Sequence, residues 1–256
     1  MQRKELNELM DFAVEFGARV MTSGGEIWRT DDLLHLIFHA YGIEEPDIFM
    51  LPHTLMISVQ PEDQEPVMRH KTVGDILVNM EQLTQLNRLA WEIRDNHIPV
   101  STLKEKLHAI SIHPPYPRPM IICGMAIALL SLNYFIGGGV MGGVLVSIGI
   151  AIAMGTQMYM HEIFPVNHLL LCGISSFLAG SVIMIGYKTG LHSNPYLLMI
   201  INCIGLIPGI PLINACREML NGRVLSGGLL FMTAFLETLA VACGFYLSLV
   251  IFGGVL

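Results

Sequence analysis

Two prolines in an apolar run, Pro208 and Pro211 within PYLLMIINCIGLIPGIPLINACREMLNG (195–222), form the pattern in the chain most able to do chemistry. Proline has no amide hydrogen, so a helix carried through both positions would leave the carbonyls of Ile204 and Ile207 without their i+4 donors. An unpaired carbonyl in hydrocarbon is expensive, so a gap there must be buried in protein or line a wet cavity. One reading is a plain proline kink. The other is a broken helix with Pro208, Gly209 and Pro211 lining a substrate path. Pro211 then sits in the first turn of a second half-helix, amide groups around Leu212 to Asn214 face a carboxylate, and the freed carbonyls hold an ammonium group. Asn202 and Asn214 flank the break and could orient the polar remainder of a substrate, or simply hold helices together.

Glu237 is the second candidate, as the one acid well inside GGLLFMTAFLETLAVACGFYLSLVIFGG (227–254). A carboxylate in an apolar span is costly and points to proton coupling, the simpler alternative being a protonated Glu hydrogen-bonded across a helix contact. Other clusters carry less. Asp31, His35 and His39 share one helical face at metal-binding spacing, but no Cys and no second element joins them, so they read as a solvated stripe. His161, Glu162 and His168 read as loop polarity. GGGVMGGV (137–144) has no following Lys-Ser/Thr and suits a tight turn with close helix packing rather than phosphate. The five cysteines lie in or beside apolar stretches without a CxxC and read as small buried hydrophobes. No Ser-His-Asp or Cys-His arrangement stands out, so no catalytic residue, cofactor or metal site is expected.

The elements that must hold these residues fall into two solvents. The chain has 256 residues, 53% of them hydrophobic and 14% charged, where a soluble domain carries about 25% charge. Its only charges after residue 118 are Glu162, Lys188, Arg217, Glu218, Arg223 and Glu237, so the net charge of −7 belongs to the first part. An acidic soluble part argues against nucleic acid and against docking on anionic lipid. The expected organisation is an α+β domain over 1–112, a stiff proline-rich linker at 113–119 (HPPYPRP), and five membrane spans within 120–256. The spans are placed near 119–136, 139–160, 165–187, 196–216 and 226–252. In the first domain, apolar spacing predicts helices over 3–21, 26–40, 73–96 and 101–110 and a two-stranded hairpin across 48–71, with Pro52 marking an edge strand or a break. The acidic, helix-periodic start MQRKELNELMDFAVEFGARVM does not resemble a signal peptide, and five spans place Arg118, Arg217 and Arg223 inside against Lys188 outside, so the amino terminus is expected in the cytoplasm and the carboxyl terminus outside.

LIPGIPLINACREMLNG and SGGEIWRTDDLLHLIFHAYG resemble the Pro-Gly-x-Pro-Leu-x-Asn span and the amino-terminal Gly-Ala-Glu helix pair of the threonine/serine exporter family. The order of soluble domain, proline linker and five spans is similar as well. The resemblance implies a bacterial inner-membrane secondary transporter subunit that exports threonine and serine, or C4 dicarboxylates such as succinate, using the proton motive force. It also implies the five-span half of a split transporter, in a homo- or hetero-oligomer with a small hydrophobic membrane protein supplying the complementary half. Glu26 and Arg29 match the helix-pair motif and would fold the soluble domain, sense ligand or catalyse. The rival readings are a membrane-anchored hydrolase-like enzyme and a sensory or structural subunit without a transport path.

Overall fold

A computed structural model of the chain describes residues 3–61, 65–74, 78–110, 116–163, 167–191 and 194–253, without the side chains of 161–163. His113 to Pro115 of the linker, Ile76 and Leu77, the centre of the 61–66 turn, the His161 and Glu162 side chains and the last three residues lie outside the description. The protein is mostly helical and divides into two compact units, one of Met1–Pro115 with Asn214–Leu230, the other of Tyr116–Ile213 with Phe231–Leu256.

In the first unit, α1 (Arg3–Thr22) is stopped by Gly24, whose φ of +88° no β-carbon tolerates well. α2 (Ile27–Ala40) ends the same way at Gly42, with Gly42 N–H donating to His39 O and Ile43 N–H to Phe38 O. Leu9, Met10, Phe12, Phe16, Leu34, Ile37 and Phe38 on these two helices are fully buried. They pack with Leu55 and Ile57 of the sheet and with Leu86 and Ile93 of α3 (Met80–Asn96) in one core. α4 (Val100–Ala109) follows, and its carbonyl of Leu107 receives Arg19 Nη1 from α1 at 2.7 Å.

The sheet is antiparallel and three-stranded in the order β1 (Asp47–Leu51), β2 (Thr54–Val59), β3 (Val67–Thr72). The expected hairpin held one strand across 48–60. Of the two readings of Pro52 the break holds: Pro52 and His53 make a two-residue turn with Leu51 opposite Thr54, because a proline without an N–H suits a turn better than a ladder. The helix expected from Val73 begins at Met80. Val73 N–H donates to His53 O, and Asn79, accepting from Gln82 N–H at 3.0 Å, caps the helix at its true start.

The second unit holds α5 (Arg118–Phe135), α6 (Val140–Ile163), α7 (His168–Lys188), α8 (Pro195–Leu206) and most of α10 (Val224–Gly253). Among the described residues four helices, α5, α6, α7 and α10, are long and apolar enough to cross a membrane. The count is five if α8 and α9 (Gly209–Leu220), bent by 55° at their break, form one span. This is a multi-pass membrane protein. Gly137 to Gly139 do form a turn, while Gly142 and Gly143 lie in α6: Gly137 takes φ +87°, Gly138 N–H donates to Asn133 O, and Asn133 Nδ2 donates to Gly139 O at 3.1 Å. α7 and α10 approach through small residues. A β-carbon on Gly244 would run into Gly173 O and come within 2.9 Å of Phe177 N, and one on Gly180 would strike Ser248. Of the cysteines only Cys172 is fully buried; Cys123, Cys216 and Cys243 are exposed, on helix faces rather than in a core as expected.

Candidate functional site: the helix break and a polar lane across three helices

α8 runs to Leu206 and α9 starts at Gly209, so the backbone leaves the helix at Ile207 and Pro208, just where the proline spacing predicts trouble. The carbonyl of Ile207 finds a donor in Gly209 N–H at 2.8 Å, and Ile207 N–H still reaches Cys203 O. The second helix begins two residues before Pro211, and Leu212 N–H is already spent on Pro208 O at 3.2 Å. Amide groups unpaired by the helix ladder therefore sit earlier than expected, at Ile210 rather than Leu212. Pro208 and Pro211 are half-buried and Gly209 is exposed.

Asn202 is fully buried on α8, with Nδ2 3.3 Å from Leu198 O and Oδ1 without a partner among the described residues. A buried amide oxygen left open is costly unless something else fills it. Asn214 is half-buried on α9, and the two asparagines fall in different compact units.

Glu237 is not isolated in hydrocarbon. Its Oε1 lies 3.4 Å from Nδ1 of His168, the first residue of α7. His168 Nδ1 is 3.7 Å from Cys172 Sγ, which Gln157 Nε2 on α6 approaches at 3.9 Å while donating to Ser175 Oγ at 2.9 Å. Glu237, His168, Cys172, Gln157 and Ser175 thus form a continuous lane of polar side chains drawn from α10, α7 and α6, in which the first three are of titratable type and the Gln157 amide only hydrogen-bonds. Sequence spacing assigned His168 to loop polarity. The Asn167 side chain, accepting from Leu169 N–H at 2.9 Å, caps α7 and turns His168 into its first turn. An Asn-His pair before an apolar run was the available signal.

In the first unit Glu26 occupies the N-cap position of α2, yet its side chain makes no capping hydrogen bond and pairs with Arg217 instead. Arg29 is exposed and its Nε donates to Asn87 Oδ1 at 3.3 Å. Asp31 pairs with His35 at 3.5 Å and with Arg223. Among the described residues, no group of three or more His, Cys, Asp or Glu side chains has metal-binding geometry.

The profile of the family described as "Putative threonine/serine exporter" matches residues 11–252, nearly the whole chain. The chain belongs to that family. It is 23% identical to the "Probable succinate transporter subunit YjjP" of Escherichia coli over 99% of this chain and 98% of that protein. A protein of the same description from Klebsiella aerogenes is 18% identical over 98% of this chain and 96% of its own length. No solved structure matches the chain. Membership of a transport family, full-length similarity to transporter subunits and four or five candidate spans agree that this exporter-family chain works in a membrane, in transport.

Proposed function

We propose that the chain is one subunit of a secondary transporter of the bacterial inner membrane that exports small hydroxy amino acids such as threonine and serine, or C4 dicarboxylates such as succinate, driven by protons. The 55° break between α8 and α9 carries this reading. A discontinuous span offers a carboxylate the early amide groups of the second half-helix and offers cations the carbonyls of the first. Asn202, whose buried oxygen has no partner among the described residues, orients the polar end of the substrate, Asn214 is a further candidate for that role, and Pro208, Gly209 and Pro211 keep the gap open.

Glu237 exchanges the coupling proton. Support comes from its place beside His168 at the end of a lane of polar side chains. The α1–α4 and sheet portion is cytoplasmic in this scheme, consistent with Arg118, Arg217 and Arg223 on the inner side. A small hydrophobic membrane protein completes the bundle: five spans are an incomplete repeat, and relatives are named as subunits.

Vesicles holding this chain with a candidate partner should move labelled threonine, serine or succinate, and the double variant Pro211→Ala, Asn214→Leu should abolish the movement. Undiminished transport by that variant rules out the site.

A further inference from the structure

Glu218 is charged in kind yet only 1% exposed, on the last turn of α9. Its Oε1 accepts from Trp28 N–H at 3.1 Å, the Ile27 N–H also points to this carboxylate, and Oε2 has no partner among the described residues. These are the first two amides of α2, the groups that a helix N-terminus leaves open and that a carboxylate satisfies best. The residue in position to cap them, Glu26, is turned away to Arg217, the neighbour of Glu218 in sequence. Arg223, at the start of α10, reaches Asp31 one turn further along α2, and Ser226 Oγ donates to Met50 O of β1 at 3.0 Å.

The turn that presents these groups is itself tightly made. Gly222 takes φ +81°, Arg223 N–H closes on Glu218 O at 2.9 Å, and a β-carbon on Gly227 would come within 2.8 Å of Ala215 O. All of these residues belong to the first compact unit.

We propose that Glu218 caps α2 from 190 residues away and is the centre of a clasp, flanked by Arg217–Glu26 and Arg223–Asp31, that holds the α9–α10 turn on the amino-terminal domain. Exchanging a local cap for a distant one makes the first turn of α2 depend on the docking of α9. Because α9 is a single helix whose other end is the Pro208–Pro211 break, the clasp fixes the second half-helix of the substrate path. That last consequence rests on the proposed transport function; the clasp itself does not.

Amide hydrogen exchange on the full chain in detergent micelles tests the clasp. In Glu218→Ala, peptides covering 27–30 and 217–223 should both exchange about tenfold faster or more. If neither changes, the assignment is overturned. Glu218→Ala combined with Glu26→Ser gives α2 a cap of its own. Exchange at 27–30 should then return toward that of the unmodified chain while 217–223 stays fast. Recovery of both segments would limit Glu218 to capping and sink the clasp, and recovery of neither would sink the capping role. In the vesicle assay Glu218→Ala should slow transport at least severalfold. If the unmodified chain moves no substrate, the transport reading fails and the exchange result stands unaffected.

Discussion

Gly149 on α6 makes room for Asn202 on α8: a β-carbon at position 149 would lie 3.1 Å from Asn202 Oδ1 and 3.4 Å from its Nδ2. The missing side chain is what lets a fully buried amide sit between two membrane helices. Gly149→Ala should therefore be tolerated with a small shift of Asn202, whereas Gly149→Val should displace it, at about 1–3 kcal/mol of overpacking. Thermal unfolding in detergent and substrate uptake in vesicles measure the two effects. Uptake by Gly149→Val equal to that of the unmodified chain would argue against a substrate role for Asn202.

The α7–α10 contact is more demanding, since a β-carbon on Gly244 meets the backbone of Gly173 and Phe177 as well as the Ser176 hydroxyl, and the backbone cannot swing aside. Gly244→Ala should destabilise by about 1–3 kcal/mol and Gly244→Leu by more, because the helices must separate. A melting temperature for Gly244→Leu within experimental error of the original would show that the two helices do not pack this closely.

Coupling through Glu237 predicts a change in the pH profile rather than a plain loss. Glu237→Gln keeps the shape and removes the titration, so proton-driven uptake should fall at least tenfold while exchange of labelled for unlabelled substrate persists. His168→Gln should give an intermediate effect with a displaced profile. A Glu237→Gln chain that still responds to an imposed pH gradient excludes the acid as the coupling group.

Arg19 is buried on α1, donating Nη1 to Leu107 O and Nε to Glu15 at 3.2 Å, and burial lowers its affinity for a proton without discharging it. Arg19→Met should cost about 1–3 kcal/mol, the range for breaking a buried charged hydrogen bond. Denaturant unfolding followed by Trp fluorescence reads this out.

Tyr41, next to the end of α2, donates its hydroxyl to Ile98 O, and burial pushes its pKa up to about 12. The folded state favours the neutral phenol, so this contribution is complete below the ordinary value near 10 and disappears as pH rises through about 12. Tyr41→Phe should remove that alkaline limb from the stability profile. An unchanged limb would assign it to other groups.

The sequence made the repeating apolar faces legible: α1, α2 and each long membrane helix begin and end within a few residues of their expected bounds, because caps, glycines and prolines act locally. Local signals also misled. Apolar spacing ran on through Val73, but Asn79 is the stronger helix start, and Pro52 split what composition presented as one strand. The break at Pro208 was readable, yet its amide accounting was not, since Gly209 N–H turns back on Ile207 O. The site around Glu237 and the capping by Glu218 were beyond sequence spacing. His168 meets Glu237 and Glu218 meets Trp28 only through tertiary packing, and no periodicity in one segment encodes a partner in another.

The His168–Glu237 pair sets a depth. α7 has 21 residues, or about 31 Å of helix, which barely spans the roughly 30 Å hydrocarbon slab. His168 is its first residue, so where α7 spans the slab end to end, a carboxylate 3.4 Å from that residue falls at the rim, on the side that water reaches. Charging an acid there costs far less than at mid-bilayer. For the proposed coupling this means that a proton taken up at Glu237 from that side still has most of the membrane to cross, by a rearrangement of the helices or over groups contributed by another chain.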